Sequence, residues 1–100
     1  MGKVYTVVAY RSVSDPAALA AYAELAGPAI IAGGGRILAR GMPLATFEGG
    51  LNQRMVIVEW DNLEQALATR RGEAYQAAFA KLGDAAERDI RIVEGVDLTT

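Results

Sequence analysis

Apolar residues run almost without interruption through two segments of this 100-residue chain, Val4-Tyr5-Thr6-Val7-Val8-Ala9-Tyr10 and Met55-Val56-Ile57-Val58-Glu59-Trp60. A strand with one face in water alternates apolar and polar positions, and these two segments do not. Both read as strands covered on each face. The helical segments suffice for one side only, so the pattern predicts that the second side meets another copy of the same chain.

The remaining elements follow from punctuation and periodicity. A first strand is predicted over residues 3–11. Ser14-Asp15-Pro16 starts a helix, with Asp15 as cap and Pro16 at the first helical position. That helix runs over 16–32, with Leu19, Tyr22, Leu25, Ala26, Ala29 and Ile30 near one face, and Gly27-Pro28 is expected to kink or split it. Gly33-Gly34-Gly35 ends it. A second strand begins over 36–40, Gly41-Met42-Pro43 interrupts it as a bulge or bend, and 44–48 continues the ribbon. The turn 49–53 leads into a third strand over 54–60.

Asp61 or Asn62 caps the next helix, with Glu64 and Gln65 three places on in a capping-box pattern. Leu63, Ala66, Leu67 and Arg70 share its inner side. Gly72 breaks it, and the helix resumes over 73–82 with Tyr75, Ala78, Phe79 and Leu82 facing in. The last strand, 88–95, carries Ile90, Ile92 and Val93. The order βαββαβ gives a four-stranded antiparallel sheet with both helices on one face and the first and third strands central. The chain reads as one α+β domain over residues 1–100.

Composition removes whole classes of chemistry. With no cysteine and no histidine, there is no disulfide, thiolate nucleophile, Ser-His-Asp triad, histidine-rich zinc site or histidine-ligated haem. Acid–base work near neutral pH falls to a carboxylate, a tyrosine or a lysine. A formal charge of −2 without a basic run gives no electrostatic reason to bind nucleic acid or anionic lipid. No apolar stretch approaches the roughly 18–20 residues that span a bilayer, and the opening residues carry no signal-peptide core. A soluble, cytoplasmic protein without metal or cofactor is expected.

Asp15-Pro16, Tyr22, the run Gly34-Gly35-Arg36-Ile37-Leu38-Ala39-Arg40-Gly41, Glu48-Gly49, 54–60, Ala74-Tyr75-Gln76 and Val93-Glu94-Gly95 together resemble the bacterial family called domain of unknown function 1330. The resemblance covers almost the whole chain, and it rests on the order and spacing of these pieces. It implies a ferredoxin-like protomer and a dimeric α+β barrel, without an established activity. The chain departs from the family pattern at Gly33, where an aromatic residue is common, and at Trp60-Asp61, where phenylalanine and proline are usual. It also has Leu82, beside Lys81, where the family often has an arginine. A ligand anchor carried by that arginine would be missing or altered here.

Each candidate site has a plainer explanation beside it. Gly33-Gly34-Gly35 lacks the Lys-Ser/Thr of a phosphate loop and ends a helix, so it reads as a C-cap. Arg36, Arg40 and Arg54, with Glu48 and Glu59, mark the middle of the sheet. An arginine entering the cleft between sheet and helices would grip a carboxylate or phosphate, Arg40 being the candidate anchor; cross-strand Arg–Glu pairing is the favoured alternative. Glu59 is either paired or a general base with raised pKa, with pairing favoured. Tyr22 and Tyr75, one on each helix, either share a pocket or are core tyrosines with their hydroxyls at the edge. Trp60 reads as packing.

The expected function is therefore binding of a small acidic or aromatic metabolite by Tyr22, Arg40, Glu59 and Tyr75 in a homodimer. The first alternative is a cofactor-independent enzyme, monooxygenase- or isomerase-like, with Glu59 and Tyr75 as catalytic candidates. The second is a structural or protein-interaction dimer with a self-filled cleft, which a cavity no larger than ~300 Å³ would favour.

Overall fold

Backbone caps and strand parity account for the path of the chain. The computed structural model describes residues 2–96. Among them the order is β1 (Val4–Val13), α1 (Pro16–Ala32), β2 (Arg36–Gly41), β3 (Met55–Trp60), α2 (Leu63–Arg71), α3 (Glu73–Leu82) and β4 (Ala86–Glu94). The strands form one antiparallel sheet in the order β2-β3-β1-β4. This is a ferredoxin-like α+β fold, with the two apolar segments in the centre. Because β3 lies between β1 and β2, and β1 between β3 and β4, both helical connections cross over a strand. Crossovers of one hand put them on the same face.

Parity then divides the sheet. Val4, Val8, Tyr10, Val58 and Trp60 are buried and point to the helices, where Val4, Val58 and Trp60 pack with Ala66. A second cluster joins the helices through Tyr22, Ala26, Ala29, Tyr75, Ala78 and Leu82. The opposite parity, Tyr5, Val7, Ala9, Met55, Ile57 and Val93, forms an outer face that no described helix covers. The backbone envelope is only 15 Å thick against 44 × 37 Å, which is one sheet and one helical layer.

The caps act where the residues suggest. Asp15 Oδ1 accepts from the N–H groups of Ala17 and Ala18 at 3.1 and 3.2 Å. Asn62, rather than Asp61, caps α2: its Oδ1 accepts from Gln65 N–H at 2.8 Å, and Gln65 Oε1 accepts from Asp61 N–H at 3.0 Å. Gly34, at φ +99°, and the bond from Gly35 N–H to Ile30 O at 2.9 Å close α1. The glycine run is thus a helix stop.

Several expectations need correction. α1 runs unbroken through Pro28. The carbonyl that loses its donor belongs to Glu24, and both residues lie on the exposed side, where water serves instead. Residues 44–48 do not extend the ribbon, because Gly41 at φ +145° turns the chain away and Glu48 at φ +52° belongs to a turn. The bulge of β2 lies between Ile37 and Ala39, not at Gly41. Leu63 and Phe79 stand at the rim rather than facing in, at 42% and 38% exposure.

Asn62→Ala should lower stability by about 1 kcal/mol, the usual value of an N-cap side chain. Asn62→Asp, which keeps the acceptor, should lose much less. Urea unfolding at one fixed protein concentration checks both.

Candidate functional site

Between the inner face of the sheet and the helices lies a cleft of about 100 Å³, lined by apolar side chains such as Val8, Ile30, Val56 and Ile90. Its charged lining is one-sided. Arg40, Arg54, Arg70 and Arg88 reach it and no aspartate or glutamate does. Among the described residues none of these four forms a salt bridge. The Nε of Arg54 is buried without a hydrogen-bond partner.

Each arginine arrives there for a backbone reason. Without a bulge, residues 36, 38 and 40 would share one face of β2. The extra residue at Leu38 reverses the parity beyond it, so Arg36 pairs with Glu59 on the outer face while Arg40 pairs with Val56 on the inner one. Arg88 stands opposite Tyr10 in the β1–β4 ladder, and Tyr10 N–H donates to Arg54 O at 3.0 Å. Arg54, just before β3, Tyr10 on β1 and Arg88 on β4 thus form a row across the sheet. Arg70 comes from the inner side of α2.

At the helical wall the two tyrosines meet. Tyr22 Oη and Tyr75 Oη are 2.8 Å apart and buried, with their rings edge to face. Arg88 Nη1 donates to Tyr22 Oη at 3.1 Å and Arg70 Nη1 to Tyr75 Oη at 3.2 Å. Arg88 also lies over the Tyr10 and Tyr22 rings, and Arg70 over Tyr75 and Phe79. Burial and the bond to Tyr75 push the Tyr22 hydroxyl well above its ordinary value. Burial also pushes Tyr75 up, but the bond from Tyr22 and the charges of Arg88 and Arg70 outweigh it, leaving Tyr75 below the usual 10.0. Either hydroxyl can donate within the pair, and Tyr75 is the more acidic partner.

Tyr22, Tyr75 and Arg40 come together at the cleft. Glu59 does not. It lies on the outer face, where its Oε1 accepts from Arg36 Nε at 2.7 Å and its Oε2 from Tyr5 Oη at 2.8 Å. The bond from Arg36, then that from Tyr5, hold its pKa below 4.5, the opposite of a raised general base. Pairing explains this carboxylate, and period-two parity removes it from the cleft. Trp60 is a packing residue whose Nε1–H donates to Thr6 Oγ1 at 3.0 Å. Leu82, in the position where the family often carries arginine, is buried in the helical core. Arg70 and Arg88 stand by the tyrosines instead. Arg88 was legible from its parity with Ile90 and Ile92, and Arg70 from its inner helical position.

A larger hollow of about 470 Å³ lies on the outer side beneath Pro43, Phe47 and Leu51. Its arginine, Arg11, is within 3.5 Å of Asp89, so it offers no unpaired cation. Among the described residues no three histidine, cysteine, aspartate or glutamate side chains gather as metal ligands, and no helix is long and apolar enough to cross a membrane.

The chain belongs to the family described as domain of unknown function (DUF1330), whose model matches residues 3–96. No curated protein matches the sequence. Among solved structures, the RPA0582 protein of unknown function from Rhodopseudomonas palustris is similar at TM-score 0.72 and 19% identity, covering 96% of this chain and 84% of that one. A dimeric ferredoxin-like protein of unknown function from Thermobifida fusca matches at TM-score 0.65 and 16% identity, with 94% and 92% covered. A dimeric protein of unknown function and ferredoxin-like fold from Bacteroides fragilis matches at 0.62 and 20%, with 95% and 98% covered. At these identities the likeness is one of fold.

Glu59 carries a checkable sign. Its pKa is depressed on folding, so its contribution is present above the unfolded value near 4.5 and is lost as pH falls through the folded one. Wild type should exceed Glu59→Gln in stability at pH 7, with the gap closing below about pH 4. Denaturation midpoints measured across that range would show a constant gap if the carboxylate were unpaired.

Proposed function

We propose that this protein binds a small anionic metabolite in the cleft between sheet and helices, and does so as a homodimer joined through the outer sheet face. The observation that carries the ligand reading is the charge of the cleft: four guanidinium groups, no lining carboxylate, and one guanidinium nitrogen buried without a partner. Like charges gathered in one cleft repel one another, and a buried unsatisfied donor costs about 1–3 kcal/mol. A bound carboxylate relieves both. This cluster favours the acidic half of the expected ligand class, with Arg40 and Arg54 as anchors from the sheet and Tyr22 and Tyr75 as hydroxyl partners. Glu59 has no part in it.

The dimer is supported by the uncovered apolar face and by the two dimeric proteins of the same fold. The projecting side chains of Leu44 and Phe47, the latter 79% exposed, add apolar surface next to that face.

A second reading, a structural dimer with no ligand, is favoured by one observation. At about 100 Å³ the cleft falls below the ~300 Å³ at which pockets for drug-sized ligands begin. That volume limits any ligand to a few non-hydrogen atoms, the size of a short-chain acid.

Calorimetric titration with acetate, malonate, 2-oxobutanoate and benzoate separates the two. Binding of at least one of the short acids is expected, weakened by Arg54→Gln roughly 10–100-fold, the range of one hydrogen bond to a charged group. If none binds at millimolar concentration, the self-filled reading stands in its place.

A further inference from the structure

We propose that the cleft is catalytic, with Tyr75 exchanging a proton with the carbon beside the carbonyl of a small 2-oxo carboxylate, a keto–enol isomerisation. This rests on the anion-binding reading above and goes beyond it by assigning a reaction.

The inventory of the cleft leaves few groups for proton transfer. Its lining includes no carboxylate and no lysine, and the chain has no histidine or cysteine. The threonine hydroxyls are far too weakly acidic. That leaves Tyr10, Tyr22 and Tyr75. Of these, Tyr22 and Tyr75 form a buried pair 2.8 Å apart, on which two guanidinium groups converge from different elements, Arg88 from β4 and Arg70 from α2. A packing tyrosine needs one partner for its hydroxyl; it does not need two cations.

Counting protons sharpens the point. The pair owns two hydroxyl protons, and one lies between the two oxygens. Each oxygen also accepts from a guanidinium. Whichever oxygen donates, the remaining hydroxyl proton has no acceptor among the described residues, and its loss from Tyr75 leaves a phenolate facing Tyr22, Arg70 and Arg88. Tyr75 is therefore equipped to give a proton to a ligand and to take one back.

The balance needs no further reagent. Tyr75 Oη as phenolate removes a proton from C3 of the 2-oxo acid. The C–H pair becomes the C2–C3 double bond, and the carbonyl pair moves onto oxygen as an enolate. Tyr75 then returns the proton either to that oxygen, giving the enol, or to C3, restoring the ketone. Nothing is oxidised or reduced. The row Arg54-Tyr10-Arg88 suits this substrate class, because adjacent strands lie about 4.8 Å apart and the two arginines flank Tyr10. One guanidinium holds the carboxylate while the other meets the oxygen on which charge develops.

The test is proton NMR of 2-oxobutanoate in deuterium oxide, following loss of the C3 methylene signal, with affinity measured separately by titration. Wild type should accelerate the loss in proportion to its concentration. Tyr75→Phe should cut the rate at least about 100-fold, the lower end for a general acid–base, while changing affinity only a few-fold. Tyr22 acts as a positioning residue by donating to the Tyr75 phenolate. Tyr22→Phe should therefore move the pH of half-maximal exchange upward, an effect that loose packing would not produce. The groups facing Tyr75 Oη in that titration are Tyr22 from α1, Arg70 from α2 and Arg88 from β4. Binding without exchange above buffer, or full exchange by a folded Tyr75→Phe protein, overturns the catalytic assignment and leaves the binding one standing. Absence of binding overturns both.

Discussion

Everything in this molecule depends on a sheet whose two central strands are apolar on both faces while the described chain supplies one helical layer. The inner face is met by α1, α2 and α3 through Val4, Val58, Trp60 and Ala66. The outer face presents Val7, Ala9, Met55 and Ile57 with no helix over them. Burying apolar surface contributes roughly 25 cal/mol per Å², so a face of this kind favours a partner surface of like chemistry. A second copy is self-complementary by symmetry. Two carboxylates of that face are already matched: Glu59 is held by Arg36 and Tyr5, and Asp89 by Arg11 and Arg91. Covering them therefore strands no unpaired charge, the condition under which buried ions become costly.

The same layering segregates charge. Paired acids and bases stand outside, while the cleft collects arginines without acids, in a chain whose formal net charge is −2. Much of this turns on one extra residue. The bulge at Leu38 leaves Arg36 with Glu59 and sends Arg40 to the other side. Strand parity brings in Arg88, and α2 brings in Arg70. The tyrosine pair then finds its hydroxyls between two guanidinium groups, and the bond between them pushes Tyr22 up and Tyr75 down.

The elements, their order and their caps were legible because they depend on local chemistry: Asp15 before Pro16, the glycines after Ala32, Asn62 before Gln65. The central position of β1 and β3 was legible from their unbroken apolar runs. The face of Glu59 was not, since an apolar strand offers no alternation by which to assign parity. Nor was the bulge, since nothing about Leu38 marks it and the glycine at 41 drew attention away. The inward helical positions of Tyr22 and Tyr75 were legible from periodicity, and the bond between their hydroxyls was not. Arg70 is legible on the inner side of its helix and Arg88 shares parity with Ile90 and Ile92, but nothing in the sequence joins them to the tyrosines.

The most direct measurement is native mass spectrometry of gently purified protein at micromolar concentration, which reads subunit number and retained small molecules together. The proposed homodimer predicts a species of twice the 10.6 kDa chain mass, because the outer sheet face is apolar and no described helix covers it. A clean monomer at that concentration would contradict the central claim, since the apolar outer face would then be stable in water without a partner.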